Sequence, residues 1–97
     1  MKIAEAGGIP PLVALLYDAT LNDMAAGALR TLARNEDNKV RVAEAGAIPP
    51  LVALARTGTP GQQLQARGAL ESLAVGNARN REAILRTGYV FGRAFDY

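Results

Sequence analysis

Gly46-Ala47-Ile48-Pro49-Pro50-Leu51-Val52-Ala53-Leu54 occurs almost unchanged twice in this chain. Taken from Ile3 to Leu15 the first copy reads IAEAGGIPPLVAL, and from Val42 to Leu54 the second reads VAEAGAIPPLVAL. Eleven of the thirteen positions are identical, at an offset of 39 residues. A period of about 40 residues is the length of one supersecondary unit in a helical solenoid. Within the block, glycine stops one helix and proline starts the next. Proline costs little in a first helical turn, where its missing N–H had no intrahelical partner. The stretch is therefore a sharp corner between two helices, and the rest of the chain takes its place from it.

Outward from the corner, the spacing predicts a short helix over Met1 to Ala6, the end of a segment seen more fully at Asn38 to Ala45. The first unit thus reads as truncated within its first helix. Pro10 to Tyr17 is the next predicted helix, with Leu12, Leu15 and Leu16 at i, i+3, i+4. After a polar turn, with Thr20 or Asn22 available as N-cap, a third helix runs from about Leu21 to Arg34. Ala25, Leu29 and Leu32 form its apolar stripe. Gly27 costs that helix on the order of 1 kcal/mol relative to alanine. Either it clears space for a neighbouring helix or ligand, or it is drift that tertiary contacts tolerate.

Asn35 to Asn38 caps the following helix, and the second corner leads into a helix over about Pro49 to Arg56. Thr57-Gly58-Thr59-Pro60-Gly61 is the most loop-like stretch. Gln62 to Val75 then repeats the third helix at an offset of 41, so two extra residues lie near Thr59 to Gly61, where a loop accepts them easily. Asn80 to Thr87 repeats Asn38 to Ala45 at offset 42, and Gly88 stands where Gly46 stood. There the repeat breaks. Residues Tyr89 to Tyr97 lack the Pro-Pro-Leu-Val and hold four of the five aromatics. This tail reads as a diverged third unit, a cap, or a sticky end.

The length of 97 residues limits the chain to one domain. Apolar residues make up 49%, mostly aliphatic, so the core rests on small contacts rather than rings. Eleven basic and nine acidic residues are interspersed, for a net charge of +2, which points away from nucleic-acid and membrane partners. No apolar run reaches the roughly 18 residues of a membrane span, and no secretory signal opens the chain. The lack of cysteine fits an intracellular protein, cytoplasmic or nuclear. With no His, no Cys and Ser72 as the one serine, a nucleophile–base pair cannot be assembled. The adjacent Glu36 and Asp37 read as helix-capping carboxylates, and no calcium-loop spacing occurs. No enzyme activity, metal or cofactor is expected.

A short helix ending in Ala-Gly, then Ile-Pro-x-Leu-Val-x-Leu, then a long helix with Ala-Leu-x-x-Leu-Ala, resembles the armadillo repeat. The resemblance covers about residues 1 to 88; the HEAT repeat lacks this three-helix punctuation. It implies an all-α fold, a right-handed α-solenoid (an armadillo-like superhelix) of about two three-helix repeats plus a partial third. Repeat 1 spans about residues 1–37, repeat 2 about 38–79, and the partial third 80–88, with the aromatic tail at 89–97. In this family the third helices line a concave groove that binds extended peptides or other proteins. Many peptide-binding members carry there a Trp and, four residues later, an Asn that holds the ligand backbone. Here those positions are Gly27 and Thr31 in the first unit, Gly68 and Ser72 in the second, so both rungs are missing. Arg30 and Arg34 also make the first unit's groove basic, which repels a basic peptide. The resemblance therefore implies protein binding of another kind than nuclear-import recognition. By helical spacing the groove face comprises Met24, Gly27, Arg30, Thr31 and Arg34, then Gln65, Gly68, Glu71, Ser72 and Val75.

A solenoid unit cannot bury its apolar faces alone, and about three stacked units are normally required. Two units with open ends leave apolar surface, including the side of Leu70, Leu73 and Ile84. Such patches mark interfaces. The expectation is self-association by end-to-end stacking into a homo-oligomer, with Ile84 and the tail residues Tyr89, Phe91, Phe95 and Tyr97 at the contact. The alternative is an excerpt of a longer array that binds an extended peptide in the groove.

Overall fold

In a computed structural model of the chain, residues 7–91 are described. They form six helices: α1 (Ile9–Leu15), α2 (Asn22–Leu32), α3 (Glu36–Glu44), α4 (Ile48–Thr57), α5 (Pro60–Ala74) and α6 (Ala78–Arg86). Every regular element among the described residues is a helix, so the fold is all-α. The short helix expected over residues 1–6 lies outside them.

The corner forms as its residues require. The N–H of Gly46 donates to the Ala43 carbonyl at 3.0 Å, and that of Ala47 to the Val42 carbonyl at 3.4 Å. This pair of bonds is the Schellman pattern, which satisfies carbonyls that a helix end leaves without partners. It needs a left-handed residue at its centre, and Gly46 has φ +87°. Gly7 (φ +79°) and Gly88 (φ +90°) hold the same conformation at the other two corners. The third corner differs in one atom group. Thr87, in place of Ala45, accepts from the Tyr89 N–H at 3.3 Å and donates to the Ile84 carbonyl at 2.6 Å. A hydroxyl is thus inserted into the longer of the two Schellman bonds, and the chain leaves the corner on a different path.

Two expected caps are corrected. Pro60 and Gly61 belong to α5, not to a loop. Thr59 Oγ1 accepts from the Gln62 N–H at 3.2 Å while Gln62 Oε1 accepts from the Thr59 N–H at 2.9 Å, a reciprocal capping box that starts the helix two residues early. At α2 the N-cap is Leu21, neither Thr20 nor Asn22. The Asp18 carboxylate instead accepts from the N–H groups of Thr20 (2.8 Å) and Leu21 (3.1 Å). Asn22 is buried, and its side-chain oxygen accepts from Gln62 Nε2 at 2.9 Å.

The core runs through both copies, with Leu29, Val42, Leu51, Leu70, Leu73 and Ile84 wholly enclosed. The expectation that the Leu70, Leu73 and Ile84 side stays half covered is corrected. Helix α6 packs on α5, and Tyr89, only 8% exposed, joins the same core. The Phe91 ring stands edge-on to Tyr89 with centroids 5.3 Å apart, a favoured aromatic geometry. Full burial of a leucine contributes about 2 kcal/mol, so closing this end matters to a chain of this size. The other end is less closed. Pro50 and Leu51 of the second copy are buried, whereas their equivalents Pro11 and Leu12 are exposed and half-buried.

Candidate protein-binding site

Helices α2 and α5, the two copies of the third helix, lie side by side and share the most extensive boundary in the molecule. Their sequences make that approach possible. At Gly27 an added Cβ would meet only the Gln65 side-chain amide, Oε1 at 3.3 Å and Cδ at 3.6 Å. At Gly68 it would fall within 2.6 Å of Arg30 Cδ, because the Arg30 side chain lies across the glycine. Each glycine of the expected groove is therefore covered by a side chain of the opposite helix. The group nearest Gly27 is a rotatable amide of the neighbouring helix.

Sequence reasoning missed Lys39. This lysine is 3% exposed, and its Nζ donates to the carbonyls of Ala33 and Ser72, both at 2.7 Å. Ala33 closes α2, and Ser72 lies in the last turn of α5. Carbonyls in a final helical turn lack intrahelical donors and carry the negative end of the helix dipole. One amine thus ties together the C-terminal ends of both helices. Asn80, also buried, takes the next carbonyl: its Nδ2 donates to Leu73 at 3.0 Å and to Lys39 at 3.1 Å. The repeated Asn-x-x-Asn, at Asn35 and Asn38 and again at Asn77 and Asn80, was the available signal. In each pair the first asparagine caps the N–H of the second.

The residues assigned to the face from sequence divide by exposure. Met24 is 70% exposed; Thr31, Arg34 and Val75 are exposed too. The Thr31 hydroxyl donates back to the Gly27 carbonyl at 3.2 Å. Arg30, Gln65, Glu71 and Ser72 are half-buried in the α2–α5 boundary or beside it, Gly27 is partly covered, and Gly68 is buried. Of the residues assigned to self-association, Ile84 is enclosed, Tyr89 buried and Phe91 half-buried. Phe95 and Tyr97 lie outside the described residues. Burial pushes the Tyr89 phenol above its ordinary pKa, opposed by the positive field of Arg67 and reinforced by Glu71. Both charges belong to α5, the helix against whose end Tyr89 lies. Arg56 Nη2 donates to the Thr87 carbonyl at 3.0 Å and anchors the same end.

Among the described residues no three His, Cys, Asp or Glu side chains gather as metal ligands. No helix among them is long and apolar enough to cross a membrane.

The model of the Armadillo/beta-catenin-like repeat family matches residues 35–75. That span contains α3, α4 and α5 whole, with the corner between the first two. Residues 35–75 thus form an armadillo-like repeat, as the recurring corner implies. Neither the curated proteins nor the solved structures contain a match to it.

Proposed function

We propose that the chain is a non-enzymatic protein-binding and scaffolding armadillo module that self-associates through an end of its repeat stack. Its two copies form a right-handed superhelix in this reading, and the partial third repeat closes one end. One observation carries the proposal. The copies share their sequence but not their burial, so Pro11 is exposed and Leu12 half-buried where Pro50 and Leu51 are buried. An apolar surface that one copy hides and the other exposes marks an interface. The cysteine-free sequence suits an intracellular setting. Light scattering across a dilution series tests the self-association: the mass is expected to exceed the monomer's 10.2 kDa at micromolar concentration. A cooperatively folded monomer at every concentration would sink it.

A second reading, an extended peptide bound along the α2–α5 face, is favoured by the position of Arg30. Its guanidinium lies over Gly68, with Arg34 four residues on, and offers donors to a carboxylate or to backbone carbonyls. An acidic segment suits this face. Fluorescence anisotropy with a labelled extended Glu-rich peptide, set against its Lys-rich counterpart, tests it. Saturable binding of the acidic peptide, lost in Arg30→Glu, is expected; equal responses to both peptides would count against it.

A further inference from the structure

Helices α3 and α6 occupy the same place in successive copies, yet they share a far smaller boundary than α2 and α5 do. Between them lies a crevice of about 260 Å³. Both of its walls are described helices, so it lies inside the stack rather than at either end. No residue of α2 or α5 lines it, which separates it from the face those helices share. Its apolar part is Val40, 44% exposed, with the buried Ile48 and the half-buried Ala83. Ala83 stands where α3 carries Arg41, so the α6 wall lacks the long side chain that would fill the space.

Two asparagines line the same opening. Asn80 is 5% exposed, and its Nδ2 donates to the carbonyls of Lys39 and Leu73. Turning that amide over would set its oxygen against both carbonyls, so its orientation is fixed. Its Oδ1 accepts no bond from the described residues, and no sealed side-chain oxygen or nitrogen among them lacks a partner. Oδ1 therefore opens into the crevice as an acceptor. Asn77, half-buried, is its counterpart. The Asn77 Oδ1 accepts from the Asn80 N–H at 2.9 Å, which leaves the Asn77 Nδ2 as a donor beside the same opening. Glu44 and Arg79, both exposed, put opposite charges on the opposite walls, and neither is paired with a charge among the described residues.

We infer that this crevice binds a short extended segment of a partner protein. One aliphatic side chain of the segment sits among Val40, Ile48 and Ala83. The main-chain amide beside it meets Asn77 and Asn80, because one donor and one acceptor match the C=O and N–H of a peptide unit. Charge specifies the flanks: a basic residue toward Glu44 and an acidic one toward Arg79. A wholly apolar ligand would leave the Asn80 acceptor and the Asn77 donor unmet, which costs binding. A segment charged with one sign would meet repulsion at one wall. This site needs neither the self-association nor the α2–α5 face of the readings above.

Fluorescence anisotropy of the 97-residue chain tests it, with short labelled peptides that carry a leucine flanked by lysine and glutamate in either order. Saturable binding is expected, with one order preferred, and glycine in place of the leucine should abolish it. Ala83→Arg copies the residue of α3 and fills the crevice, so it should abolish binding at an unchanged melting temperature. Should the melting temperature fall, Val40→Glu, which copies Glu82 of α6, takes its place. Asn77→Asp keeps the helix cap but removes the donor, and should weaken binding about fivefold. Reversing both charges, Glu44→Arg with Arg79→Glu, should invert the preferred order. Arg30→Glu should change nothing here. No binding of either peptide, or an equal response to the glycine peptide, would overturn the proposal. Binding that survives Ala83→Arg but is lost in Arg30→Glu would move the peptide to the α2–α5 face and overturn the crevice. An unchanged order after the double reversal would overturn the assignment of the flanks.

Discussion

Lys39 holds more of the molecule together than its residue type suggests. Its two bonds, both 2.7 Å, join the ends of α2 and α5. Lys39→Met keeps most of the volume but leaves the Ala33 and Ser72 carbonyls without this donor. It should destabilise the fold by about 2–3 kcal/mol. A melting-temperature change of less than a degree would show that water replaces the amine without loss. The glycines make a contrasting pair. Gly27→Ala gains helix propensity against a single amide oxygen that can rotate away, so it should stabilise by about 0.5–1 kcal/mol. Gly68→Ala gains the same propensity but must displace Arg30, so its net effect should be smaller or reversed. Chemical denaturation of both variants separates the two. The absence of a larger residue at Gly27 was legible in the sequence; the identity of what covers each glycine was not. That depends on which side chain the opposite helix presents.

At the scale of elements, the Gly-Ala-Ile-Pro-Pro corner was legible because its requirements are local. A left-handed glycine and a proline-started helix are written in adjacent residues. The start of α5 was equally local but was masked by composition. Thr-Pro-Gly reads as a loop, yet Thr59 and Gln62 cap each other's backbone and carry the helix through Pro60 and Gly61. The third corner turns on Thr87, whose hydroxyl both accepts and donates. Thr87→Val keeps the shape and removes the relay. It should cost about 1 kcal/mol and loosen the packing of Tyr89, read as faster hydrogen exchange at the Tyr89 amide. Unchanged exchange would mean that the core contact of the ring, not the corner, places the tail.

At the scale of the whole molecule, Tyr89 and Phe91 cover one end of the core. Removing everything after Gly88 takes away Tyr89 and Phe91 and uncovers part of the core. The truncated chain should lose about 2–3 kcal/mol, a melting-temperature drop of several degrees or more; an unchanged melting temperature would show that the tail is not a cap. Tyr89 also gives the fold a dependence on alkaline pH. Its folded pKa is raised above the ordinary value near 10. The stability linked to it is therefore complete below pH 10 and is lost as pH rises from there through the folded value. Tyr89→Phe should flatten that part of the stability curve. If the wild-type curve is already flat above pH 10, the phenol is not buried as described.

The sequence by itself determined the repeat, the corner glycines and the helix order, because each follows from short-range pattern or from recurrence at a fixed offset. Helical spacing also predicted a shared face for Met24, Thr31 and Arg34, and all three are exposed. Tertiary structure decided the rest. Only packing shows that Arg30 fills the space above Gly68, that Lys39 reaches two helix ends at once, and that Pro11 is open where Pro50 is closed. The physical reason is the same in each case. Identical residues acquire different roles when their neighbours come from distant parts of the chain, and a stack of repeats gives its first and last copies different neighbours.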